Sequence, residues 1–352
     1  MSALPMMDPK VTVINSPHVV ILGAGASRAT FPDGDKNSIE LPLMCDLVQK
    51  VELEKLLDSH KISYENRNFE EIYDEIATSY KGSEFLETIE ERIHNYFAQM
   101  RLPDELTLYD KIILCLRKKD LIATFNWDPF LALVYRRNLH IKELPRIVFL
   151  HGNVAIGVCL EDKVKGYMGE KCATCGKYYQ QTGLLYPIRD KNYKKNPFIA
   201  NEWNEFESYL KRAYFLTIFG YNAPESDVVA IDMMNNIWEK NQTRELAEID
   251  IIDIKTSEEL RETWKEFIVR SHYSAINDFK YSYISAYPRR TCVALFMATM
   301  QQQPLQKNNL PDFNTLEDLH NWISPLVEEE ILYREENKKF SGLPCNQIRE
   351  KD

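Results

Sequence analysis

Five short apolar runs, each ending in small or polar residues, constrain most strongly what this chain can fold into. They are HVVIL at 18–22, DLIATF at 120–125, RIVFL at 146–150, YFLTIF at 214–219 and EIDIIDI at 248–254. The first is apolar without alternation, as a strand covered on both faces of a parallel sheet should be. Helical stretches separate the runs. Strands alternating with helices predict an α/β fold, a doubly wound parallel Rossmann-like sheet, with a large helical insertion and a helical C-terminal region.

The 352 residues, 44% of them hydrophobic, suffice for a full core. Residues 1–16 are polar and proline-bearing and read as a flexible lead-in; 17–255 read as the nucleotide-binding domain, and 256–352 as the C-terminal helices. Within the domain, 41–117 is the helical insertion and 154–185 a Cys-containing one. Asn68 with Glu71 and Thr256 with Glu259 are spaced as capping boxes, as are Asn314 and Glu317 before Leu319, Ile323 and Leu326. A formal charge of -10 argues against nonspecific nucleic-acid or acidic-membrane binding. The first residues lack a basic n-region, and no run approaches the roughly 18 apolar residues of a membrane span, so a cytoplasmic protein is expected. Seven scattered cysteines suit a reducing compartment.

In a parallel sheet the carboxyl ends of the strands share one edge, where ligands bind. The first run ends in Gly23-Ala24-Gly25-Ala26-Ser27-Arg28. Two glycines there suit either a tight structural turn or the approach of backbone N–H groups to a pyrophosphate. A hydride-transfer fingerprint would place a third glycine where Arg28 stands and an acidic residue after a second strand; FPDGDKNSIELPL follows instead. The second run ends in Thr124-Phe125-Asn126-Trp127-Asp128-Pro129, so Asn126 and Asp128 either meet a ligand or cap the helix that Pro129 opens. His151-Gly152 ends the third run, His151 being either a base or a hydrogen-bonded loop histidine. Gly220-Tyr221-Asn222 ends the fourth and Asp253 the fifth, its carboxylate facing either ribose hydroxyls or solvent. Cys172-Ala-Thr-Cys175-Gly176 has the form of one zinc knuckle, and Cys159 with Asp162 stands where a second would be. The four are either a Cys3Asp structural zinc site or a decayed one.

Taken in order, GAGAS at 23–27, TFNWD at 124–128, LHGN at 150–153 and FGYNAPESD at 219–227 resemble the sirtuin-like NAD-binding family over roughly residues 17–255. Departures distinguish branches of that family. Phe125 stands where a protein deacylase carries Gln, Pro32-Asp33 is followed by Gly34-Asp35 instead of Phe-Arg, and the four-cysteine ribbon is incomplete. The chain looks more like bacterial NAD hydrolases of anti-phage defence.

The resemblance implies NAD+ as substrate, with Asn126 positioning water and ribose and His151 as base. Asp128 would meet the nicotinamide amide or hold Asn126. The 23–28 turn would carry the pyrophosphate, with Arg28 pairing with it, Asn222 and Asp253 would face the adenosine side, and Thr124, Gly220, Tyr221 and Asp227 would also contact the cofactor. It further implies a homo-oligomer, activated by assembly, by a partner motor ATPase or by a phage-derived trigger, with no membrane and no direct nucleic-acid binding. The alternatives are a protein deacylase and a non-catalytic NAD- or ADP-ribose-binding subunit of a defence complex.

Overall fold

The computed structural model describes residues 15–188, 193, 195–269 and 271–335. Strands β1 (His18–Leu22), β2 (Leu121–Thr124) and β3 (Arg146–Phe149) are followed by a small sheet of β4 (Ile156–Val158), β5 (Lys165–Tyr167) and β6 (Gln180–Gln181). The main sheet resumes with β7 (Phe215–Phe219), β8 (Glu248–Ile252) and β9 (His272–Ile276). Its order is β3-β2-β1-β7-β8-β9, every pair parallel. Counting main-sheet strands alone, that is 3-2-1-4-5-6, the order of dinucleotide-binding sheets, with the crevice expected where the order reverses between β1 and β7.

All five apolar runs form strands of this sheet, and every residue of β1, β2 and β7 is buried, which requires cover on both faces. One continuous core joins the sheet to flanking helices and to the helical insertion: Ile72, Ile89 and Ile93 belong to it, as do Leu319 and Ile323 near the chain's end. In the insertion, helices span Phe69–Ser79, Glu84–Ala98 and Leu108–Leu114, among others. Asn68 caps the first by accepting the Glu71 N–H at 3.1 Å. Helix Pro197–Leu210 is fastened to the end of β3, where Glu202 accepts the Phe149 N–H (2.8 Å) and the Trp203 indole donates to the Leu150 carbonyl (3.1 Å).

Beyond residue 255 the expectation of helix alone is corrected. β9 adds a sixth strand, so the sheet runs on past the anticipated domain boundary. HYSAI lacks a continuous apolar run because its residues are exposed or half-buried, unlike those of β3 at the opposite edge, where Ile147, Val148 and Phe149 are buried. Thr256 and Glu259 do form a capping box, whereas the last helix, Leu316–Glu335, is capped by Thr315, whose hydroxyl accepts the Asp318 N–H at 3.1 Å, and not by Asn314. That helix is tied into the domain by Arg289, fully buried, which grips Glu330 with two bonds of 2.8 Å and the carbonyls of Leu114 and Leu116. Residues 1–14 of the lead-in and the tail past 335 lie outside the described residues. Among the described residues no helix is long and apolar enough to cross a membrane.

Candidate functional site

The site is built where the turns after β1 and β7 meet. Gly23 and Gly25 donate their N–H groups to the carbonyls of Phe219 and Gly220, both at 3.0 Å, and Ala26 donates to Gly23. A Cβ on Gly23 would lie 2.5 Å from the Gly220 oxygen, and one on Gly220 would lie 2.3 Å from the Ala26 nitrogen. The glycines are therefore required by the contact of two turns, and three of the amides read as a phosphate cradle are bonded within the protein. The helix that follows, Ala24–Thr30, buries Ser27 and carries Arg28 outward, where it pairs with Asp46 at 3.7 Å.

Around Ser27 lies the first of two polar clusters. Its hydroxyl donates to Asp128 Oδ2 (2.6 Å) and lies 2.7 Å from the Tyr109 hydroxyl. The Asn126 amide nitrogen donates to the Gly23 carbonyl (2.9 Å) and to Ser27 Oγ (2.9 Å), with Tyr109 at 3.3 Å. Thr124, at the end of β2, accepts the Asn126 backbone N–H at 3.0 Å. Asp128 also accepts the Phe130 N–H (3.1 Å) just ahead of the helix Phe130–Arg137, whose N-cap is Pro129, while its other oxygen holds Ser27. Asp128 therefore reaches Asn126 through Ser27, and Asn126 takes no part in the helix start. Burial pushes the Asp128 carboxyl up to about 6, against the lowering effect of the Ser27 bond.

The second cluster surrounds His151, 5% exposed at the end of β3. Its Nε2 lies 3.2 Å from the Tyr193 hydroxyl and 3.7 Å from Asp227 Oδ1, and Tyr221 donates to the other Asp227 oxygen at 2.9 Å. Phe125, the residue before Asn126, packs on this second cluster: its ring stacks flat on Tyr221 at 4.2 Å and meets His151 edge-on at 4.8 Å. Asn126, Asp128, His151 and Asp227 are all buried. Asn222 is exposed, and Asp253 turns back to accept the Lys255 N–H at 3.1 Å; neither contacts these clusters.

Tyr109 and Tyr193 were not legible in the sequence. Tyr109 belongs to the helical insertion and Tyr193 to the segment before helix Pro197–Leu210, and neither stands in a motif. Apart from this site, Cys159, Asp162, Cys172 and Cys175 bring four donor atoms within 4.8 Å of one another beside the small sheet. The Cys159 and Cys175 sulfurs are 3.4 Å apart, too far for a disulfide, and Cys172 Sγ is 3.2 Å from Asp162. Ligands about 2.3 Å from a tetrahedral zinc would stand somewhat under 4 Å apart, so the residues fit such an ion.

The sequence matches no family model and no curated protein. Solved structures similar to the chain include a Sir2 homologue in complex with NAD, at 14% identity and TM-score 0.33 over 84% of this chain and 95% of that one. A Sir2 homologue variant with ADP-ribose gives 12% identity and TM-score 0.36, covering 84% of this chain and 98% of that one. A third, from work on sirtuin substrate affinity, gives 15% identity and TM-score 0.33 over 76% and 90%. The fold assignment rests on this chain's own strand order and register.

Proposed function

We propose that this chain cleaves the N-glycosidic bond of NAD+, releasing nicotinamide and ADP-ribose, as a regulated effector of anti-phage defence that acts by NAD depletion. The observation that carries the reading is Asn126. Its amide nitrogen is anchored to Gly23 and Ser27 at the reversal point of a 3-2-1-4-5-6 parallel sheet, one strand from His151. Anchoring the nitrogen commits the amide oxygen to the role of acceptor for a water or ribose hydroxyl.

Nicotinamide leaves NAD+ as a neutral molecule, so its bond to the ribose can break through an oxocarbenium-like transition state without an acid on the ring. Water then adds to the ribose carbon and loses a proton. His151 Nε2 takes that proton, and Asp227 beside it stabilises the imidazolium. Asn126 and His151 are both buried, so the site has to open before a dinucleotide can reach them. A closed site agrees with an enzyme held silent until assembly or a trigger opens it. In this reading a structural zinc holds the Cys159–Cys175 segment.

Purified protein incubated with NAD+ at concentrations raised until it assembles should yield nicotinamide and ADP-ribose by chromatography. Removing a base typically costs about 10² to 10⁴ in rate. His151→Ala and Asn126→Ala should each abolish most of the release while melting as cooperatively as the parent. Full activity in both variants would overturn the assignment.

A further inference from the structure

Hydrogen-bond direction at the first cluster can be followed atom by atom. An ionised Asp128 only accepts, so the Ser27 proton goes to it across 2.6 Å. The Ser27 oxygen is then left as an acceptor, and the Tyr109 hydroxyl, 2.7 Å away, has to be its donor. One hydrogen of the Asn126 amide nitrogen goes to the Gly23 carbonyl. The other is shared between Ser27 Oγ at 2.9 Å and Tyr109 Oη at 3.3 Å. A flipped amide would set its oxygen against the Gly23 carbonyl and against two oxygens whose protons are already directed elsewhere.

We infer that Tyr109, a residue of the helical insertion, is a positioning residue that fixes the orientation of the Asn126 carboxamide. Its helix, Leu108–Leu114, has little freedom to withdraw. The Thr107–Asp110 capping box closes its start, and Asp110 is in turn held by Arg137 Nε (2.8 Å) and by the Asn138 amide (2.7 Å). Phe31 packs on the Tyr109 ring, with centroids 5.9 Å apart in a T-shape. The hydroxyl is thus delivered to a fixed point by residues that lie outside every strand-end motif.

The inference rests on the NAD+-cleaving reading for its consequence, but not for its geometry. Tyr109→Phe keeps the ring and its packing and removes only the hydroxyl. Losing one net hydrogen bond corresponds to a rate factor of about five to ten. We expect kcat for nicotinamide release to fall by about that factor, with KM for NAD+ changed less than about two-fold and an unaltered melting temperature. A purely structural tyrosine would lower the melting temperature and leave kcat of the folded fraction intact. A crystal structure of Tyr109→Phe should show the Asn126 side chain in more than one orientation. Unchanged kcat in an active enzyme, or a single unmoved Asn126 orientation in the crystal, overturns the inference while leaving the function standing. Absence of nicotinamide release from the assembled parent protein would instead sink the function, and the crystal structure still decides the role of Tyr109.

Discussion

Gly220→Ala tests whether the two crossing turns set the shape of the site. Gly220 has φ +60°, and a Cβ there would lie 2.3 Å from the Ala26 nitrogen, 2.5 Å from the Gly25 carbonyl carbon and 2.7 Å from the Gly25 Cα. All three are backbone atoms, so no side chain can swing away to relieve the clash. The left-handed backbone costs an L-residue roughly 1–2 kcal/mol, and overpacking adds roughly 1–3 kcal/mol. The sum, about 2–5 kcal/mol, is a large part of the roughly 5–15 kcal/mol that holds a folded domain together. For a chain of this size it corresponds to a fall in melting temperature of roughly 3–7 °C. Gly82 provides the control, since it has φ +72° but nothing within 4 Å of its would-be Cβ. Gly82→Ala therefore carries the backbone cost alone. Thermal melts of both variants, followed by circular dichroism, separate the terms. Equal shifts for the two variants would refute the reasoning.

Two further outcomes follow from charge and metal chemistry. Asp250, buried in β8 and accepting the Tyr283 N–H at 2.8 Å, has its carboxyl pushed up to about 7 by burial. A carboxyl whose folded pKa lies above its unfolded value stabilises the fold when protonated; that contribution is complete below about pH 4 and lost as pH rises through 7, about 4 kcal/mol in all. Asp250→Asn should flatten the fall in unfolding free energy between pH 4.5 and 7.5 in urea titrations, and a variant as pH-dependent as the parent would discount the group. For the cysteine cluster, elemental analysis of the purified chain should find one zinc per molecule, lost in Cys172→Ser; a metal-free parent would remove zinc from the account.

The strands at the centre of the sheet were legible because burial on both faces leaves them mostly apolar, and the capping boxes because their chemistry is local. β9 was not, since its residues are exposed or half-buried and polar residues are tolerated in it, unlike β3 at the other edge, where Ile147, Val148 and Phe149 are buried. At the site, Asn126 and His151 stood out as polar residues closing apolar strands, although nothing in the chain told a ligand-facing Asp128 from a capping one; the structure gives its oxygens to Ser27 and Phe130. Arg28 looked like a phosphate ligand from its place beside the glycines, yet helical periodicity carries it out toward Asp46. Tyr109 and Tyr193 reach the site from tens of residues away by tertiary packing alone, and a single sequence holds no local signal for such an approach.

The register of β1 has a consequence for how the protein is made. This strand leaves the ribosome first, yet its neighbours lie about a hundred residues later, where Val19 pairs with Leu121, and about two hundred later, where His18 pairs with Phe215. Closing such loops is slow and is rewarded only when both partners are in place. Nascent and truncated chains therefore lack the junction of the first and fourth strands of the main sheet on which the Asn126 anchor depends. Under the proposed function, late assembly would keep incomplete chains harmless during synthesis.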